Sequence, residues 1–171
     1  MTTSRLFIIP ALAAALLALA GCEKFATGEA VQSVAVSENG AGGYGPVVLT
    51  LTPDMSPVAI NFHAEHGDDP SELDKWNSYH ATLSKDGQTV AIGQFNVNHS
   101  GSIDLPQGSR YIARNVMTLR PSEAGDYELV ITPTKPIEVK LSDTQVEVRR
   151  NVQENEAIYP SQPTTERTPV Q

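Results

Sequence analysis

Apolar and polar residues alternate along most of the chain between Pro46 and Val148. Short stretches with this two-residue period are separated by turn-forming residues; they are PVVLTLTP, PVAINFHAE, YHATLSK, TVAIGQFNV, ARNVMTL, DYELVIT, IEVKL and QVEV. A two-residue period puts the apolar side chains on one face of a strand, and no long stretch has a helical period. The pattern predicts an all-β fold, an antiparallel β-sandwich of seven or eight strands over residues 46–149.

Three local signals add detail to this pattern. Asp86-Gly87, between two strands, is typical of a tight hairpin turn. The apolar positions of TVAIGQFNV change parity, so we expect a β-bulge at Gly93-Gln94. Asp69-Pro70-Ser71-Glu72 has the form of a helix start, with an acidic cap followed by proline and with glutamate three residues after the cap. We therefore expect one short helical turn, from which Leu73 and Trp76 face the core.

The two ends of the chain lack the strand pattern. Residues 22–45 are polar and rich in glycine, which predicts a tether with a possible first strand around Val31, Val34 and Val36. Residues 150–171 contain three prolines and few apolar residues. Because so little of this segment can be buried, it is predicted to be a disordered tail.

Residues 1–21 are typical of an export signal. Arg5 precedes the apolar run LFIIPALAAALLALAG, which is shorter than the roughly 20 residues of a spanning helix. The run ends in Leu19-Ala20-Gly21-Cys22, and Cys22 is the only cysteine in the chain. These four residues resemble the lipobox of bacterial lipoproteins. The resemblance implies that residues 1–21 are a lipoprotein signal peptide, cleaved before Cys22, and that Cys22 carries the acyl chains, palmitate among them.

The lipobox resemblance also implies a location. Two or more acyl chains hold a protein stably on a membrane, whereas one chain binds only marginally. In many lipoproteins of this kind an aspartate just after the cysteine favours the inner membrane, and this chain has Glu23 there. We therefore expect a lipid anchor at Cys22 in a bacterial cell envelope, with the periplasmic side of the outer membrane favoured over the inner membrane.

A second resemblance lies in the predicted sandwich. Ser122–Leu129, SEAGDYEL, is similar to the start of the sixth strand of immunoglobulin-like domains, where a tyrosine forms the tyrosine corner. Tyr127 stands at that position, and Leu129 replaces the usual cysteine. Ala81–Gly87, ATLSKDG, resembles the third strand and its turn. The two segments imply an immunoglobulin-like arrangement of the strands.

The charge balance restricts the partners. The chain carries a formal charge of −8, from 12 basic and 20 acidic residues. Cleavage before Cys22 would remove only Arg5 among the charged residues, so the mature chain would be still more acidic. An acidic protein of this kind is not expected to bind nucleic acid. Acylation of Cys22 would also leave no thiol for a disulfide.

The richest set of possible metal ligands is HAEHGDDPSELD, residues 63–74. His63, Glu65 and His66 could supply imidazole and carboxylate to a divalent metal. Strand alternation puts His63 and Glu65 on the face opposite His66, so the two imidazoles converge only if the strand breaks between them. We therefore expect no metal and no cofactor, and we keep these three residues as the alternative. His80 and His99 are expected to be exposed.

Arg110, Arg114 and Arg120 lie near Tyr111 in RYIARNVMTLR. On a sheet edge they could form a patch for an acidic partner or a glycan, and the simpler interpretation is a solvated face. The sequence contains neither a Gly-x-Ser-x-Gly nor a His-Glu-x-x-His motif. The favoured hypothesis is a membrane-anchored, non-catalytic binding module with a protein partner in the envelope. The alternatives are a periplasmic metal-binding or small-ligand-binding lipoprotein and, third, an envelope hydrolase.

Overall fold

The computed structural model describes residues 27–67, 69–100, 102–104, 108 and 110–153, and this part of the chain is all-β. Eight of its strands have seven or more residues and two have only two. The strands are β1 (Glu29–Ala35), β2 (Glu38–Asn39), β3 (Gly43–Leu51), β4 (Val58–His66), β5 (Trp76–Lys85), β6 (Gln88–Asn98), β7 (Ile103–Asp104), β8 (Arg110–Leu119), β9 (Gly125–Pro133) and β10 (Leu141–Arg150).

The strands form two antiparallel sheets. The first sheet has the order β1-β10-β4-β8-β7, and the second has the order β2-β3-β9-β5-β6. The inner faces of both sheets contribute to one hydrophobic core. The all-β class and the sandwich predicted from the alternating pattern are therefore confirmed.

The centre of the core is aromatic. Tyr44, Phe62, Tyr79 and Phe95 come from both sheets, and their ring centroids are 5.0 to 6.2 Å apart in tilted or stacked pairs. These separations are the ones that aromatic pairs prefer. Burial, which is the largest cause, raises the pKa of the Tyr44 and Tyr79 hydroxyls, so both stay protonated.

A buried asparagine fixes one connection to this core. The Asn77 amide donates to the Val139 carbonyl (2.7 Å) and to the Tyr79 hydroxyl (3.2 Å). Its carbonyl oxygen accepts from the backbone N–H groups of Glu138 (2.9 Å) and Val139 (3.0 Å). Because all four bonds are made inside the protein, Asn77 holds the segment between β9 and β10 against the start of β5.

The hairpin between β5 and β6 has the predicted turn. Asp86 and Gly87 both have positive φ, 51° and 77°, as a type I′ turn requires. The predicted bulge at Gly93-Gln94 is wrong, because the β5–β6 register is regular there and shifts instead between Leu83 and Ser84. Val90 and Ile92 lie on the outer face, so their apolar character does not mark the core side of β6.

The sheets meet closely where β6 crosses β8. A Cβ atom on Gly93 would lie 2.2 Å from the Val116 carbonyl oxygen, so only glycine fits at this approach. The Arg114 side chain, buried at the same junction, donates to the Asn96 carbonyl (3.1 Å) and to the Asn98 side chain (3.1 Å).

The two sheets are also joined where β1 lies beside β3. The Gln32 side chain of β1 bonds to the backbone of β3 at Val48 and Thr50.

The tyrosine singled out in the sequence makes a local bond. The Tyr127 hydroxyl donates to the Glu123 carbonyl at 2.8 Å, four residues upstream. A tyrosine hydroxyl that bonds to a carbonyl shortly upstream closes the turn before its strand. It anchors the connection between β8 and β9.

Both ends of the described chain meet at one end of the sandwich, which we call the basal end. Glu29 of β1 pairs with Arg150 of β10, and the Thr27 hydroxyl accepts from the Gln153 N–H at 3.0 Å. The folded body therefore begins at Glu29, ahead of the predicted boundary at residue 46, and includes the possible first strand. The opposite, distal end holds residues 66–67, 69–76 and 133–141.

The predicted helix start is a short 3₁₀ turn, Pro70–Glu72, at the distal end. Asp69 caps it as expected, because its carboxylate accepts from the Ser71 N–H at 2.8 Å, and this bond lowers the Asp69 pKa. The expectation that Leu73 and Trp76 face the core is wrong. Their exposed fractions are 58% and 45%, because the turn ends too early to bring both onto the sandwich.

Candidate functional site

The sequence features that concern the membrane lie outside the described residues. They are the signal peptide 1–21 and Cys22; the part of the predicted tail beyond Gln153 also lies outside the described residues. Within the part of the chain that the structure describes, no helix has the length and apolar character needed to cross a membrane. The predicted lipidation of Cys22 therefore stays a prediction.

The structure separates His63 from His66. Both are on β4, and His63 belongs to the outer face of the first sheet whereas the His66 ring is buried between the sheets. Glu65 shares the outer parity of His63 and lies opposite Tyr111 of β8. Among the described residues no three histidine, cysteine or acidic side chains are grouped as a metal site would need.

His63 belongs instead to a side-chain network across three strands of the first sheet. The Tyr111 hydroxyl bonds to His63 Nδ1, and His63 Nε2 lies 3.5 Å from a carboxylate oxygen of Glu147 on β10. The same oxygen accepts from the Asn61 amide (3.3 Å) and from Arg149 (3.3 Å). We call these five residues the outer-face network.

The network stabilises the negative charge of Glu147. Burial alone would raise the pKa of this carboxyl, but the hydrogen bond from His63, the charge of Arg149 and the Asn61 amide together lower it below its usual value. Arg149 also donates to the backbone carbonyls of Thr27 (2.9 Å) and Gly28 (2.8 Å). The network thus joins β4, β8 and β10 to the entering chain, which is a structural task.

Two further histidines meet at the distal end. The ring centroids of His66 and His99 are 4.1 Å apart, and their exposed fractions are 1% and 8%. The expectation that His99 is exposed is wrong, because the end of β6 brings it onto the inner side of β4. His66 Nδ1 donates to the Gly67 carbonyl at 2.9 Å.

The three arginines of β8 do not form a patch. Arg114 is buried at the β6–β8 junction, Arg110 pairs with Asp104 at 2.6 Å, and Arg120 follows the other end of the strand. A strand of this length spans roughly 30 Å, so Arg110 and Arg120 are too far apart to bind one group. The proposed acidic-partner or glycan patch at these arginines is therefore wrong.

A row of polar side chains on the outer face of the second sheet was not predicted as a site. Trp76 and Ser78 of β5 lie opposite Asn98 and Asn96 of β6, and the next outward pair is His80 with Gln94. The Lys135 ammonium lies over the Trp76 ring, 3.5 Å from its centroid. We call Trp76, Ser78, His80, Gln94 and Asn96 the polar strip.

The sequence did contain a signal for the polar strip. The Asp86-Gly87 turn fixes which residues of β5 and β6 face each other, and counting outward from it brings polar residues opposite polar residues. The pairing between β5 and β6 shifts by one residue between Leu83 and Ser84. A count from the turn that ignores this shift assigns each residue of the polar strip the wrong partner.

Comparison with known proteins adds no relative. No protein-family model matches the sequence, and the search of curated proteins finds no match.

Proposed function

We propose that this protein is a lipid-anchored, non-catalytic binding module of the bacterial cell envelope. The observation that carries the proposal is Leu19-Ala20-Gly21-Cys22 at the end of an apolar export segment. Acylation of Cys22 with two or more chains would hold the mature protein on the membrane. Glu23 after the cysteine favours the periplasmic side of the outer membrane.

The short distance between Cys22 and the folded body supports this proposal. Thr27, the first described residue, follows Cys22 by five residues, and Arg149 and Gln153 hold it at the basal end. Five residues reach at most about 18 Å. A lipid on Cys22 would therefore keep the basal end beside the bilayer, with the distal end about 30 Å further out.

The proposed body is an immunoglobulin-like sandwich with altered edges. The Tyr127 contact supports this relation. In immunoglobulin domains the last strand lies beside the sixth strand, which carries this tyrosine. Here β3 takes the place next to β9, and β10 lies beside β4 in the first sheet. Such folds serve many functions, so the binding role is argued from surface residues and not from the fold.

The lipidation is tested on protein taken from the membranes of the bacterium that makes it. Mass spectrometry of the amino-terminal peptide should find that it begins at Cys22 with the mass of the added acyl chains. A Cys22→Ala variant serves as control and should keep its signal peptide. An unmodified Cys22 thiol in the native protein, or an intact leader, would contradict the proposal.

The binding role is tested by crosslinking in living cells. A photo-reactive group placed at exposed Leu73, at the distal end, should capture a reproducible envelope component. The same group at Glu123, on the basal side, serves as the matched control and should capture less. Equal capture at both positions would contradict a distal binding surface.

A further inference from the structure

The polar strip has the chemical character of a ligand surface. Its five side chains are an indole, a hydroxyl, an imidazole and two amides, and none of the five is a carboxylate or an ammonium; the Lys135 ammonium contacts its Trp76 end. Ser78, His80 and Asn96 point outward because their neighbours along the strands are buried in the core. The strip therefore offers neutral donors and acceptors in one plane.

Trp76 supplies the apolar part of this surface. Its side chain is among the large apolar groups exposed in the structure, and it lies at the distal start of β5. The Lys135 ammonium over the ring restrains the indole. Exposed tryptophans held in this way are frequent binding hot spots, because a rigid aromatic ring loses little entropy when it is covered.

The strip also has a direction. Trp76 and His80 are four residues apart on one strand, which corresponds to about 13 Å. Gln94 and His80 contact each other across the strands at 3.4 Å, and Ser78 lies opposite Asn96 two residues along, so the polar groups follow the two strands in a row. A ligand that fits this row is extended, has an apolar ring face at one end, and carries neutral hydroxyl or amide groups along its length.

We propose that the polar strip binds a neutral oligosaccharide, with one sugar ring packed against the exposed part of Trp76 and its neighbours hydrogen-bonded to Ser78, Gln94 and Asn96. Sugar rings combine apolar C–H faces with hydroxyl edges, and N-acetylated sugars add amides. The inference deepens the proposed binding function and rests on it. A body anchored at its basal end would present the distal Trp76 away from the bilayer.

The test uses the full chain in a zwitterionic detergent that has no sugar headgroup. The chain contains a single tryptophan, so its fluorescence reports on the strip alone. Titration with the tetramer of N-acetylglucosamine should change this fluorescence saturably, with a Kd tighter than about 1 mM. A sulfated tetrasaccharide of equal length is the charged comparison and should bind more weakly.

Variants assign the binding to the strip. Calorimetry should show that Gln94→Ala and Asn96→Ala each weaken binding about five-fold, the typical value of one hydrogen bond. Trp76→Ala should abolish binding, and Trp76→Phe should retain it within about ten-fold because an aromatic ring remains. Val48→Thr, on the same outer face but two strands away, is the matched control and should bind as the parent does.

Three results would overturn the inference. They are the absence of saturable binding of the neutral tetramer, stronger binding of the sulfated one, and a fluorescence change on dilution of the protein alone, which would mean that a second copy covers the strip. The outcome is independent of the anchor. If mass spectrometry finds acylated Cys22 and the titration fails, only the glycan inference falls; if the titration succeeds without acylation, only the anchor falls.

Discussion

The outer faces of the two sheets use polar residues in different ways. On the first sheet, Tyr111 bonds to His63, and Glu147, which accepts from Asn61, lies 3.5 Å from the same imidazole; His63 and Glu147 are both largely shielded from solvent. On the second sheet, Ser78, Gln94 and Asn96 lie in a row with few bonds among themselves. Polar groups that satisfy each other stabilise the fold, whereas polar groups presented to solvent can bind a ligand.

The largest expected effect is a difference in the free energy of unfolding between substitutions on the two outer faces. Glu147→Ala should lower the free energy of unfolding by about 2 to 3 kcal/mol, because it leaves Arg149 and Asn61 without their carboxylate. Glu128→Ala, a solvent-exposed glutamate on the second sheet, should change it by less than about 0.5 kcal/mol. Urea unfolding measures both. Equal losses of unfolding free energy in the two variants would mean that the outer-face network does not stabilise the fold more than an exposed glutamate does.

The second prediction compares neighbouring positions of one strand. Gly93→Ala should cost about 2 kcal/mol, because its new Cβ would press on the Val116 carbonyl where β6 crosses β8. Gln94→Ala, one residue along and facing outward, should be nearly neutral. Thermal unfolding compares the two variants. A neutral Gly93→Ala would show that the two strands can separate at this crossing.

The third prediction concerns acid. Because the Glu147 pKa is lower in the folded protein than its usual value of 4.5, the carboxylate adds stability that is fully present above the unfolded-state value. That stability is lost as the pH falls through the lower folded-state pKa. The urea midpoint of Glu147→Gln should therefore lie below that of the parent protein at neutral pH, and this difference should shrink as the pH drops. A gap that stays constant with pH would contradict the charge role of Glu147.

The smallest expected effect is on the stability of the polar strip. Trp76→Ala should lower the free energy of unfolding by no more than about 1 kcal/mol, because it removes one exposed cation–π contact with Lys135. Denaturant unfolding followed by circular dichroism measures this, since the variant has no tryptophan. A loss as large as that of Glu147→Ala would make Trp76 a structural residue and weaken its assignment to a ligand surface.

The sequence predicted the regular parts of the fold well. Alternation identified seven of the strands, although the predicted strand IEVKL is wrong because residues 137–140 precede β10 and are not in a strand. Asp86-Gly87 identified the hairpin, and the Tyr127 segment identified the contact with Glu123, because each of these depends on neighbours along the chain. The errors concerned apolar residues of short segments that could face either the core or the solvent. Val90 and Ile92 face solvent, and Leu73 with Trp76 does not reach the core.

The side-chain groupings were harder to predict because they need the strand order. Glu147 lies near Asn61 and His63 because β10, the last strand, pairs with β4. His99 lies against His66 because β6 ends beside β4. Partners more than thirty residues apart leave no local pattern. The polar strip was easier to predict, because one hairpin contains both of its cross-strand pairs, Ser78 with Asn96 and His80 with Gln94, and a tight turn sets their register.

The pairing of the chain ends has a mechanical consequence. Glu29 and Arg150 form the last pair between β1 and β10, and an ion pair of 2.6 Å joins their side chains. A pulling force applied to the two ends would act first on the Thr27–Gln153 bond and then on this pair, and it would break the hydrogen bonds between the antiparallel strands in sequence. A protein held by its amino end and pulled by its carboxyl end would therefore yield at low force, with β1 leaving before any other strand.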